Sequence, residues 1–209
     1  MFNSKTAFDP QDFDSFLIPG LEPRMSSIIE HVRPKLTQLG AVIEPFLSTI
    51  TGEPMYAHVA KHARRTINPP NDTWVAWSNN KRGYKAHPHF QVGMFASHLF
   101  IYFAVIYEST NKVNAARYLK SKKRDIMAYI PEHYVWSMDH MQPEAVHHHT
   151  LKLNDLNAMA DKLVTLKKSE LLCGIHLDKN DPIVANPDKL QSIIEQTFLN
   201  LLPLYHNSF

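Results

Sequence analysis

Six of the 22 Lys and Arg residues fall within one stretch, Tyr56 to Phe90, which holds a single carboxylate, Asp72. That stretch carries +5, and the rest of the chain, with 16 basic and 19 acidic residues, carries −3. A net charge of only +2 therefore conceals a segregated one. The cations form two groups, Lys61, Arg64 and Arg65, then Lys81, Arg82 and Lys85. If the groups are neighbours in the fold, four to six positive side chains meet around one anion, Arg giving bidentate phosphate contacts and Lys a point charge. The alternative is a solvated basic face, since charge alone fixes no ligand. Trp74, Trp77 and Tyr84 lie among the charges, and aromatics beside Arg suit base stacking or cation–π contact.

Histidine suggests a second chemistry, because there are 13. His58 and His62 are four apart and would share a helix face, and His87 and His89 would share a strand face. Each pair needs a third ligand, with Asp139-His140 or His176 and Asp178 as the options. No HExxH or CxxC pattern accompanies them, so the sequence assigns no metal and no cofactor. The run His147-His148-His149 reads as a loop that needs no native role.

Nucleophilic chemistry has little support. Cys173 lies between Leu171-Leu172 and Gly174-Ile175, an inert apolar setting. There is no GxSxG elbow, Walker loop or GxGxxG stretch. Asp178 and Asp181 in HLDKNDP read as turn formers that could also orient a substrate. The leading expectation is a binding protein for a phosphate-bearing small molecule, with an anion site of Lys61, Arg64, Arg65, Lys81, Arg82 and Lys85 and a surrounding pocket of His62, Trp74, Trp77, His140 and Asp178. A nucleotide-dependent transferase or ligase, with His62, His140 or Asp178 near the reacting group, is the second reading. Single-stranded nucleic-acid binding is the third.

These residues need elements to hold them. Asp9-Pro10 starts a short helix through Phe16, with Asp9 as cap and Pro10 in the first turn, and Pro19-Gly20 is a turn. From Leu21 to Ile50 apolar residues recur every three or four positions, an amphipathic helix that Pro34 and Pro45 should divide before Gly52. Thr73 to Ser78, His89 to Phe95 and Leu99 to Tyr107 read as strands, the first two joined as a hairpin through Asn79 to Gly83. Lys112 to Tyr129 reads as a helix with Val113, Leu119 and Ile126 inward. A short strand over 134 to 139, a helix over Asn154 to Leu166 with Leu166 inward, and a strand over Glu170 to Leu177 follow. Pro187 to Leu202 closes the chain as a helix stopped by Pro203.

Consecutive strands with short loops imply an antiparallel sheet, so the expected fold is α+β, a single-domain two-layer sandwich over residues 1–209 with helices packed on one side. The lone cysteine and the absence of a positive start followed by an apolar run point to a cytoplasmic protein without a leader. The longest apolar run, Leu99 to Tyr107, falls far short of the roughly 20 residues of a membrane span.

The motifs HVAKHARRTINPPNDTWVAW (58–77) and NNKRGYK (79–85) resemble the YktB-like family of bacterial proteins. The likeness extends to GLEPRM (20–25), PHFQVGMF (88–95), SMDHM (137–141), LLCGIHLDKNDP (171–182) and FLNLLPLY (198–205). Departures lie at Ala86-His87 and in the histidine loop, which weakens any metal role for His87 as a family trait. The resemblance implies a compact cytoplasmic α+β protein similar in layers to biotin ligase and class II synthetase catalytic domains. In such enzymes an Arg on a strand hairpin grips a nucleotide, a position that Arg82 would take between Trp74 and Phe95. The resemblance supplies no catalytic residue, and the glycine-rich features of biotin ligases are missing here.

Overall fold

A computed structural model describes residues 6–209. The first five residues, part of the segment read for a leader, lie outside the described residues. Helix α1 (Pro10–Asp14) and a 3₁₀ turn (Ser15–Leu17) precede α2 (Leu21–Ser27), a single π turn (Ile28–Val32) and α3 (Arg33–Thr51). Strands β1 (Tyr56–Val59), β2 (Asp72–Ser78), β3 (His89–Phe95) and β4 (His98–Val105) follow. Then come α4 (Lys112–Ser121), α5 (Lys123–Tyr129), β5 (Val135–Ser137), β6 (Val146–His147), α6 (Leu153–Thr165), β7 (Leu171–Asp178) and α7 (Pro187–His206).

The seven strands form one sheet in the order β1-β2-β3-β4-β7-β5-β6, and every pairing is antiparallel. The fold is α+β, with the helices on one side of the sheet. Alternation explains how the two faces differ. Val75, Trp77, Phe90, Val92, Ile101 and Phe103 point towards the helices and pack with Leu36, Ile43 and Leu47 of α3 and Ile194, Phe198 and Leu201 of α7. The residues between them point the other way. They include Asp72, Trp74, His89, Gln91, Phe100, Tyr102 and His176, a mixture of rings and polar groups on the face without helices.

Two glycines let those rings lie flat. A Cβ at Gly93 would come within 2.5 Å of both the Phe100 ring and the Thr73 carbonyl oxygen. One at Gly174 would reach 1.8 Å from the Ile101 carbonyl oxygen and 2.9 Å from the Tyr102 ring. Phe100 and Tyr102 stack on each other at 5.2 Å, each over a position with no side chain.

Several boundaries depart from expectation for identifiable reasons. The long N-terminal helix changes character just before Pro34: the Arg33 N–H donates five residues back to Ile28, a π turn that leaves room for the proline ring. Pro45 lies inside α3 without dividing it. Pro203 does not stop α7, because the next turn is anchored: Leu204 and Tyr205 are buried, and the Tyr205 hydroxyl donates to Glu53 Oε1 at 2.6 Å. The helix expected over 112–129 divides at Lys122, and Val113 and Leu166 are exposed. The histidine loop contains the end of β6 and a 3₁₀ turn, with His148 buried and accepting a bond from Trp136 Nε1 at 2.9 Å. No helix among the described residues is long and apolar enough to cross a membrane.

Candidate functional site

The expected helix carrying His58 and His62 does not form. His58 lies in β1, which adds an edge strand to β2, and the chain then leaves the sheet after the Ala60 N–H donates to the Trp74 carbonyl. His62 adopts φ 52°, in the left-handed region that a residue with a Cβ rarely occupies, and its Nε2 bonds the Thr73 hydroxyl at 3.0 Å. That turn directs the segment after β1 back over Trp74, towards the connection between β2 and β3. The two basic groups therefore become neighbours.

They line two adjoining concavities. One, about 350 Å³, is bounded by Lys61, His62, Arg64, Arg65, Trp74 and Tyr84. The other, about 490 Å³, is bounded by His58, Asn80, Arg82, Tyr84 and His87, and both share Tyr84, Lys85 and Glu108. Lys85 pairs with Glu108 at 2.8 Å, which holds that carboxylate below its ordinary proton affinity. Among the described residues Lys61, Arg64, Arg65, Lys81 and Arg82 make no ion pair. Arg65 instead donates weakly to the Asn68 and Pro69 carbonyls. Lys81 is exposed and lines neither concavity.

Trp74 forms the floor. Its ring meets His62 edge-on at 5.6 Å on one side and His140 at 6.0 Å on the other, and its Nε1 donates to the Tyr84 hydroxyl at 2.9 Å. Burial lowers the His62 pKa to about 4, helped by Arg65 and Arg33, so the ring is neutral at physiological pH. Burial pushes the Tyr84 phenol up to about 12. Trp77 takes no part, because its position on β2 turns it to the helix side, fully buried against Phe198. Asp178 is also elsewhere, exposed at the end of β7, where Oδ1 accepts from the Asn180 backbone and side-chain nitrogens.

His140 comes from the loop after β5 and is held by a residue that sequence reasoning passed over. Its Nδ1 lies 2.9 and 2.8 Å from the two oxygens of Glu170, which is buried just before β7. Glu170 also accepts the His140 N–H at 2.7 Å and the Tyr107 N–H at 3.2 Å. Burial disfavours the His140 imidazolium, but the bond to Glu170 and the charges of Glu170, Asp72 and Asp139 outweigh it and raise the pKa. Glu170 carries no motif; only its contact with a histidine 30 residues away marks it.

Asp72 is the other omission. It is 1% exposed, and neither carboxylate oxygen has a hydrogen-bond partner among the described residues. Burial raises its pKa to about 6, against the opposing pull of His140 and Arg65. A raised folded pKa makes the penalty absent below about pH 4, growing through pH 6 and full above it. Asp72→Asn is therefore expected to stabilise the protein at pH 7.5 by about 1–2 kcal/mol, seen as a higher melting temperature, and to change little near pH 4. A thermal melt of both proteins at the two pH values checks this. Strand alternation could have exposed this polar face, since His89-x-Gln91 and His176-x-Asp178 place polar groups on it at a period of two.

A family model described as Domain of unknown function (DUF1054) matches residues 8–205. A UPF0637 protein of Bacillus velezensis is 50% identical over 198 residues, covering 95% of this chain and 94% of that protein. One from Bacillus cytotoxicus is 48% identical over 199 residues, covering 95% and 96%. A third, from Bacillus cereus, is 48% identical over 198 residues, covering 95% of each. With a match that spans the sheet, the basic concavities and the His140 loop together, the chain belongs to the DUF1054 family, the YktB-like group that its motifs resemble.

Proposed function

We propose that the protein binds a phosphate-bearing small molecule in the paired concavities around Tyr84. The observation that supports this is the convergence of Lys61, Arg64 and Arg65 with Arg82 and Lys85 from a separate connection, with only Lys85 matched by a carboxylate among the described residues. Unpaired guanidinium and ammonium groups gathered at a concave surface attract anions and give phosphate charge-assisted bonds. Trp74 and Tyr84 supply an apolar wall for the remainder of such a ligand. A free buried thiol at Cys173 accords with a cytoplasmic setting for a phosphorylated metabolite.

Single-stranded nucleic acid is the less favoured ligand. Trp77 faces the helices and Trp74 is flanked by two histidines, so two of the aromatics expected to stack on bases are committed elsewhere. Titration calorimetry with pyrophosphate, ATP and a short RNA tests the reading. Arg64→Ala with Arg82→Ala is expected to weaken pyrophosphate or ATP by at least about 100-fold, since each of the two lost hydrogen bonds to a charged group is worth roughly 1.5–3 kcal/mol. Unchanged affinity in the double variant means the anion site is elsewhere. RNA binding whose logarithm falls steeply with log salt would replace the small-molecule reading.

A further inference from the structure

We infer that Asp139, His140 and Glu170 form a binding site for a divalent cation, at the edge of Trp74 and separate from the basic residues. One donor atom from each of the three lies within 4.8 Å of the other two. Donors sharing an ion at about 2.1 Å stand roughly 3 to 4 Å apart, so the cluster needs little rearrangement to close on one. The spacing of His140 Nδ1 from the Glu170 oxygens, 2.8 and 2.9 Å, is already near that of adjacent ligands.

Charge supplies a second, independent observation. Asp72 is on the sheet face that carries Trp74, against whose edge His140 packs, and the carboxylate and the imidazole each feel the other's charge. It is sealed from solvent with both oxygens unpartnered. Three carboxylates, Asp72, Asp139 and Glu170, thus act on one imidazole, Asp72 and Glu170 from buried positions and Asp139 from an exposed one. Arg65 and Lys112 act on Asp72 and Glu170 without reaching ion-pair distance of either. A carboxylate buried without a hydrogen-bond partner is costly, and Asp72 in that state beside the cluster points to an ion not yet placed.

The sequence assigned no metal because the ligands follow no motif: two adjacent residues join a third 30 positions later. The ligand set is one imidazole and two carboxylates. That mixture suits Zn²⁺ or Mn²⁺ better than Mg²⁺, which prefers oxygen and retains its waters. Glu170 is aimed in advance by the His140 and Tyr107 N–H groups, the outer bonding that metal carboxylates commonly have. A bound ion takes the place of the His140 Nδ1 proton, which passes to solvent.

The inference stands whether or not the basic concavities hold phosphate, and its test uses the metal alone. Protein stripped with chelator is titrated calorimetrically with Zn²⁺, Mn²⁺ and Mg²⁺, alongside His140→Ala, Asp139→Asn and a His147→Asn/His149→Asn control for the exposed histidines. Asparagine at 139 keeps an acceptor for the Met141 N–H, so that variant should fold even if the alanine does not. The expected result is one equivalent of Zn²⁺ or Mn²⁺, retained in the control and weakened at least tenfold in Asp139→Asn and in folded His140→Ala. No saturable binding, binding unaffected by Asp139→Asn, or binding lost in the control would overturn the site.

Discussion

Trp77→Ala is expected to destabilise the protein by about 3–5 kcal/mol, the range for deleting a large aromatic from a packed core. Trp77 has no exposed surface and meets Phe198 at 5.8 Å, and Phe198 in turn lies 4.8 Å from Phe90. Its Nε1 donates to the Gly40 carbonyl of α3 at 3.0 Å. That contact depends on a close approach, since a Cβ at Gly40 would lie 3.1 Å from Ala57 and 3.3 Å from Val75. The substitution thus opens a cavity and removes a tie between helix and sheet. Trp77→Phe keeps most of the packing and should lose only about 1–3 kcal/mol. Urea unfolding of the three proteins measures the difference. A normal unfolding midpoint for Trp77→Ala combined with lost pyrophosphate binding would return Trp77 to the pocket that its place among the basic residues suggests.

Acid should unfold the protein well above the pH at which ordinary carboxylates titrate. His89, His98 and His176 lie on the face without helices, and burial lowers their pKa values to about 4, 4 and 3. His98 and His176 stack at 3.9 Å, and a charge on His98 further disfavours a proton on His176. The sign follows from the unfolded chain. Free imidazoles take up protons below about pH 6.5, the folded ones not until about pH 4, so stability is lost across that interval. These three contribute a slope of at most about 4 kcal/mol per pH unit, to which His62, held near the same value, adds. Asp72 works in the opposite direction, because acid relieves its penalty. Melting temperatures at pH 7, 5.5 and 4.5 should fall steadily, and His98→Asn with His176→Asn should flatten the decline. A melting temperature constant over that range would show that these rings are accessible to protons in the folded state.

Alternation and local turns revealed most of the sheet. Thr73 to Ser78, His89 to Phe95 and Leu99 to Tyr107 locate three adjacent strands to within two residues, since each carries its own β-branched and aromatic pattern. Tyr56–Val59 was missed because four residues beside Pro54, two of them aromatic rings with polar atoms, have no strong preference; pairing with β2 decides their state. The same pairing removes the helix face that the spacing of His58 and His62 suggested. Among the candidate site residues, Lys61, Arg64, Arg65, Arg82 and Lys85 could be found by charge, and the fold brings them together. Trp77 differed from Trp74 only by strand parity. Glu170 and Asp72 were hidden for opposite reasons, one known only through its partner and the other only through having none.

The three bonds of Glu170 also bear on how any ligand is met. They tie the start of β7, the end of β4 and the loop after β5 into one unit. To swing that loop outwards the molecule must strip a sealed carboxylate of its donors, so His140 is held in place. For the proposed ligands, association then carries little ordering cost on this side, and discrimination comes from shape and charge already in place. The segment after β1 is held instead by the bond from His62 to Thr73 and by the weaker ones from Arg65 to Asn68 and Pro69.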